Sequence, residues 1–172
     1  MTSQPAMRIA PPEAVRAAPL HIVLVEPQIP PNTGNVARLC AATGCALHLV
    51  QPLGFSIEDR ALKRAGLDYW DALAVVVHAS LDDFSAYYPL EQSWLLSTRA
   101  AHSYRNAPFA YGDALVFGKE TAGLPAALLE THARRGLRIP MRPGAVRSIN
   151  LSTAVGIVAY EALAKLGFPA MS

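Results

Sequence analysis

The sequence predicts an α/β fold in which a mostly parallel sheet carries helices on both faces, and three observations support that prediction. Short apolar, β-branched runs such as His21–Val25 and Ala46–Val50 end at Glu-Pro or just before proline, as strands buried on both faces do. Stretches of helical spacing stand between them, and strands that alternate with helices pack as a covered parallel sheet. The chain has 172 residues, 52% hydrophobic and 16% charged, which suits one domain with a real core and excludes a disordered composition.

Taken in order, residues 1–19 mix proline, alanine and charge without a period and predict a flexible N-terminal extension before a domain over 20–169. His21–Val25 is the first strand. Three prolines, Pro27, Pro30 and Pro31, then predict a rigid extended loop, and Asn32 or Thr33 can cap a helix over Gly34–Thr43 that Gly44 ends. On that helix Asn35 and Arg38 share one face, while Val36, Leu39 and Cys40 turn inward. Ala46–Val50 is a strand, Ile57–Ala65 a helix and Gly66–Trp70 a loop. Leu73–Val77 is a strand, Leu81–Tyr88 a helix, Trp94–Ser97 a strand and Thr98–Tyr111 a polar connection. Ala114–Phe117 leads into the glycine-containing loop Gly118–Pro125, followed by a helix over Ala126–Arg134 and a strand over Leu137–Pro140. In the last segment Leu151, Val155, Val158, Ala159, Ala162, Leu163 and Leu166 recur at helical spacing, so a helix begins near Asn150 and stops at Gly167 and Pro169.

Several function classes are excluded. Cys40 and Cys45 lie in apolar surroundings without partners at metal spacing, and His21, His48, His78, His102 and His132 are scattered, so no metal is implied and these side chains are structural or exposed. No apolar run is long enough to span a bilayer and no signal-peptide core is evident, which predicts no membrane partner and a cytoplasmic protein. No Gly-x-Gly-x-x-Gly follows the first strand, and Gly118–Gly123 continues with Leu-Pro rather than Lys-Ser/Thr, which weakens dinucleotide and P-loop readings. Ser148 has neither a nearby histidine nor elbow glycines, against a serine hydrolase. A net charge of +2 does not by itself announce nucleic acid, although Arg134, Arg135, Arg138, Arg142 and Arg147 cluster toward the C-terminal third.

What remains is a set of polar loops after Val25, Phe117 and Ile139. All lie beyond strand carboxyl ends, where open α/β sheets bind ligands. The junction Arg147-Ser148-Ile149-Asn150 joins them by placing hydroxyl, amide and guanidinium groups around the unpaired N–H groups of a helix start.

Three ordered motifs within these loops resemble those of the SPOUT methyltransferases: Pro27-x-Ile-Pro-Pro-Asn-Thr-Gly-Asn-x-x-Arg38, Phe-Gly-x-Glu-Thr-x-Gly-Leu-Pro125 and Arg147-Ser-x-Asn-Leu-Ser152. The match spans about residues 20–168 and is closest to the compact type that methylates the wobble ribose of tRNA. The sequence departs from that pattern at Thr153, where Asn is common, and at Ala122, where Arg is frequent. The resemblance implies a C-terminal trefoil knot and S-adenosylmethionine bent inside it. Its implied holders are backbone groups of Leu96, Gly118, Ile139 and Ser148, with a reacting centre at Asn35, Arg38, Glu120, Ser148 and Asn150. It also implies tRNA as partner, a leucine isoacceptor as substrate, and a homodimer that completes each site across two subunits. Methyl transfer to another RNA and a non-catalytic RNA-binding role are the alternatives. Arg38 is read as orienting a phosphate or hydroxyl, since a guanidinium resists deprotonation. Glu120 has the alternative role of a helix-start carboxylate.

Overall fold

The computed structural model describes residues 7–8, 12–57 and 73–172. Among these, β1 (Met7–Arg8), β2 (Leu20–Val25), β3 (Ala46–Val50), β4 (Val75–His78), β5 (Trp94–Leu96), β6 (His102–Ser103), β7 (Asp113–Phe117) and β8 (Gly136–Arg138) form one sheet. Its order is β1-β4-β3-β2-β7-β5-β8-β6. Only β1 is antiparallel, to β4; the other neighbours run parallel. The helices are α1 (Pro12–Arg16), α2 (Pro30–Thr43), α3 (Leu81–Ser85), α4 (Ala126–Thr131) and α5 (Leu151–Lys165). The expected helix over Ile57–Ala65, apart from Ile57, and the loop Gly66–Trp70 lie outside the described residues.

Every residue of β2 is buried, because its two faces serve two cores. Leu20, Ile22 and Leu24 join Val36, Cys40, Val155, Val158 and Leu163 on the side of α2 and α5. Val23 and Val25 join Phe84, Val116 and Leu124 on the other. This two-sided burial explains why the strand reads as a continuous apolar run rather than an alternation. Cys40 and Cys45 are buried free thiols, as expected, and burial raises the pKa of both.

Ends shift by one to three residues at several elements: the helix from Leu81 stops at Ser85 rather than Tyr88, and the helix from Ala126 at Thr131 rather than Arg134. The strands expected over Leu73–Val77 and Leu137–Pro140 run over Val75–His78 and Gly136–Arg138. Three larger departures are corrected. First, α2 begins at Pro30 rather than Gly34, with Pro in its first positions and no side-chain cap at Ile29. Proline suits a first turn, since its φ is pre-set and the missing N–H would be unpaired there anyway. Second, part of the N-terminal extension is structured. Met7–Arg8 pairs with β4, and Val15 and Ala18 are buried against Ala46 and Val76. Two small apolar side chains are too few to show a period. Third, the connection Thr98–Tyr111 contains the two-residue strand β6 and a 3-10 turn over Tyr104–Asn106, both too short for a sequence pattern. Lys165 holds that turn to α5 by donating to the carbonyls of Arg105 and Ala107.

The scattered histidines are partly gathered. His21, His48 and His78 stand diagonally across β2, β3 and β4 with relative exposures of 3%, 0% and 1%. His21 Nδ1 lies 2.9 Å from His48 Nε2, and His48 Nδ1 lies 2.9 Å from His78 Nε2. Asp83 stands 3.6 Å beyond His78, and Tyr88 and Phe84 pack over the rings. Burial lowers the His21 pKa to about 4. The folded protein therefore binds this proton less readily than the unfolded chain, whose histidine titrates near 6.5. Stability is fully present above pH 6.5 and declines as pH falls toward 4, by about 3 kcal/mol in all for this one group. Thermal unfolding from pH 7.5 to 4.5 should show that decline, and His21→Gln should flatten it. An equal slope in the variant would assign the effect elsewhere.

The sheet places the site through its order. The chain leaves β2 toward β3 on one side, whereas β7 pairs with the other side of β2, and the loops after β2 and β7 are tied to each other by Glu120, Lys119 and Thr121. Loops after β5 and β8 open toward the same end.

Candidate functional site

Beyond the carboxyl ends of β5, β7 and β8 lies a cleft of about 600 Å³, ample for a nucleoside-sized ligand. Its apolar wall includes Leu96, Phe117, Leu137 and Ile139 from the ends of β5, β7 and β8. Its polar wall includes Glu120, Arg147, Ser148 and Asn150. Gly118 brings the loop after β7 close to itself: a Cβ there would stand 2.0 Å from Gly123 C and 2.2 Å from Leu124 N. Lys119 and Gly123 are bridged as well, with Gly123 N donating to Lys119 O at 2.8 Å and Gly123 at φ 67°. The loop is a tight backbone ring that only glycine permits at these positions.

A chain of side-chain hydrogen bonds ties the loops together. Asn150 caps α5, its Oδ1 accepting from Ser152 N at 2.9 Å and Thr153 N at 3.3 Å. Its Nδ2 donates to Asn32 Oδ1 at 2.8 Å, and Asn32 Nδ2 donates to Glu120 Oε1 at 3.1 Å. The Glu120 carboxylate also accepts from Gln28 N at 2.8 Å and Ile29 N at 3.1 Å. It therefore braces, from a distant loop, the backbone that enters α2, accepting from the N-cap residue Ile29 and from Gln28 before it where α2 has no side-chain cap of its own. The helix-start role expected as an alternative for Glu120 is real, but the helix is α2 rather than the one following its own loop.

Of the residues expected from sequence, Leu96, Gly118, Glu120, Ile139, Ser148 and Asn150 all line the cleft. Asn35 and Arg38 do not; both are exposed on the outer face of α2. Asn32, expected only as a possible cap, is instead the 5%-exposed hub between Glu120 and Asn150. Its signal was legible: Asn32, Val36, Cys40 and Thr43 recur along the buried stripe of α2, and a polar residue in such a stripe needs a partner. Arg135, one of the five arginines clustered toward the C-terminal third, is committed to its own fold. Its guanidinium lies 3.8 Å from the centre of the Trp94 ring and donates to the carbonyls of Gln92 and Ser93. Arg134, Arg138, Arg142 and Arg147 remain exposed.

Among the described residues no cluster of potential metal ligands occurs, and no helix is long and apolar enough to cross a membrane. The fold and cleft thus define an α/β protein with a cleft of backbone, amide and apolar groups beyond the carboxyl ends of its parallel strands. Residues 19–160 match the SpoU rRNA Methylase family, and the chain belongs to that family. A tRNA (cytidine(34)-2'-O)-methyltransferase of Saccharophagus degradans is 50% identical over 149 residues, covering 86% of this chain and 96% of its own. The enzyme of the same name from Escherichia coli strain K12 is 46% identical over 151 residues, covering 87% and 96%. A solved structure concerning 2-OH methylation of C/U34 on tRNA superposes with a TM-score of 0.79 at 48% identity, covering 86% of this chain and 96% of that one. An AdoMet-bound rRNA methyltransferase from Sinorhizobium meliloti superposes at 0.77 with 25% identity, covering 88% and 58%.

Proposed function

We propose that this protein transfers the methyl group of S-adenosylmethionine to the ribose 2'-hydroxyl of the wobble nucleotide of tRNA, cytidine or a modified uridine at position 34, most of all in leucine isoacceptors. The observation that carries the reading is the Asn150–Asn32–Glu120 chain, which braces the three motif-bearing loops around one cleft. Relatives of nearly equal length that bear the wobble-ribose name supply the substrate class. S-adenosylmethionine fits the cleft. Gly118 lines the cleft, the walls of Leu96, Phe117 and Ile139 are apolar, and the volume is sufficient.

When bound, the donor supplies an activated methyl group. Gly118, Leu96, Ile139 and Ser148 would hold it, and the C-terminal segment would form the trefoil knot around it. Asn150 and Ser148 would orient polar groups at the cleft's edge, and Asn32 and Glu120, which line the same cleft, would hold Asn150 in place. Such fixed dipoles and positioning are what a one-step transfer between two bound partners needs. Asn35 and Arg38, which face outward from α2, belong to a homodimer in this reading, with Arg38 reaching the partner's substrate. The exposed Tyr160 and Phe168, 6.4 Å apart near the end of α5, supply apolar surface for the subunit contact. Binding to tRNA weakens as salt rises, since exposed arginines meet phosphates.

Nuclease digestion and mass spectrometry of tRNA from cells with and without the gene test the reading. The expected result is loss of one 2'-O-methyl mark at the wobble nucleotide. Loss of a base methyl group, or of a ribose mark outside the anticodon loop, would overturn it.

A further inference from the structure

We propose that a second cleft, separated from the first by the Gly118–Gly123 loop, seats the base of a nucleotide adjacent to the methylated one, with Arg99 on the phosphate between them. This rests on the RNA methyl transfer proposed above. The second cleft encloses about 320 Å³, room for one base rather than a whole dinucleotide. It is continuous with the first: Arg99, Lys119, Ala122 and Gly123 line both. The methylated nucleotide must meet the donor at the mouth of the first cleft, so a neighbouring base in the second cleft is joined to it past Arg99, where the connecting phosphate lies.

The walls suit a base. Val25 and Leu124 form a buried apolar floor at 5% and 1% exposure, and Pro125 adds a flat ring surface. Above it, Lys119 Nζ stands 2.8 Å from Glu26 Oε2. A carboxylate beside an ammonium offers an acceptor for an exocyclic amino group next to a donor for a ring carbonyl or ring nitrogen. Cytosine, adenine and guanine present that pairing with an amino group, which can give two N–H donors, whereas uracil presents it with its single N3–H beside a carbonyl. The pair is 34% and 38% exposed, and ion pairs this open contribute little to stability. Yet Glu26 holds a left-handed φ of 51°, a conformation unfavourable for a residue with a side chain. Strain kept where the stability return is small is typical of a binding position, and it aims the Glu26 carboxylate at Lys119 over the cleft.

The test uses a tRNA or anticodon stem-loop that the intact enzyme methylates, with an abasic site placed at either neighbour of the methylated nucleotide in turn. Losing the base at one neighbour should lower kcat/KM about tenfold, the usual scale for one base-stacking contact. Ala126→Phe fills the second cleft from a position that lines it alone, so this variant should show the lower rate with intact RNA and no further loss with the abasic RNA. Glu26→Gly removes the carboxylate and relaxes the backbone, so it should lose any preference for an amino-bearing base over uracil while keeping its fold. Unchanged wild-type kcat/KM at both neighbours, or full additivity of the abasic penalty in Ala126→Phe, would overturn the inference and leave the proposed function intact. An enzyme that methylates no tRNA would overturn the proposed function instead.

Discussion

Replacing Gly118 by alanine is expected to weaken S-adenosylmethionine binding by about a hundredfold or more, a loss that isothermal calorimetry would read directly. The added carbon would have to occupy space 2.0 Å from Gly123 C, 2.2 Å from Leu124 N and 2.5 Å from Gly123 O. Each of these is a backbone atom, so no side-chain rotation can relieve the overlap. The loop would have to open, and with it would go the Lys119–Gly123 bridge and the floor of the donor cleft. Gly118→Val should be worse. Gly156 in α5 supplies the contrast, because its added carbon would meet only Leu39 Cδ1 at 3.8 Å. Gly156→Ala should leave donor affinity unchanged and add about 0.5–1 kcal/mol of stability through helix propensity. Donor affinity unchanged in Gly118→Ala, with a native circular-dichroism spectrum, would mean that the adenosine does not approach this backbone.

The parts of this fold that were legible in the sequence are those whose signal is local. Glu-Pro after Val25, Gly44 after Thr43, and the spacing of Val155, Val158, Ala159, Ala162 and Leu163 each mark an element within a few residues, and β2, the end of α2 and α5 lie where those marks put them. Six of the eight expected site residues meet at one cleft because the motifs sit at strand carboxyl ends, a position fixed by the order of the sheet. The bonds that organise the cleft were not legible. Asn32 is 88 residues from Glu120 and 118 from Asn150, and no periodicity spans such distances. Reading α2 by its outer face selected Asn35, whereas the buried face holds the asparagine that is hydrogen-bonded to both other loops. The histidine row was hidden for the same reason. Three strands each contribute one ring, and only their diagonal register brings the rings together.

Arg38→Ala is expected to abolish methyl transfer while leaving donor affinity nearly intact, since Arg38 stands on the exposed face of α2 and outside the donor cleft. Loss of turnover alone would not say from which subunit of the proposed homodimer the residue acts. Mixed dimers would. When Arg38→Ala chains are co-refolded with Gly118→Ala chains, a mixed dimer has one subunit with a sound donor cleft and the other with a sound Arg38. If Arg38 serves the partner's site, these two lie together at one of the two sites, and activity returns in the mixture although neither parent is active. If Arg38 serves its own cleft, each site keeps one lesion and the mixture stays silent. Arg38→Lys then separates charge from shape. Lysine keeps the positive charge but not the planar fork that can hold a phosphate or hydroxyl through two donors at once, so the expected result is little rescue. Near-normal turnover in Arg38→Lys would assign the residue a purely electrostatic part, and normal turnover in Arg38→Ala would remove it from the reaction.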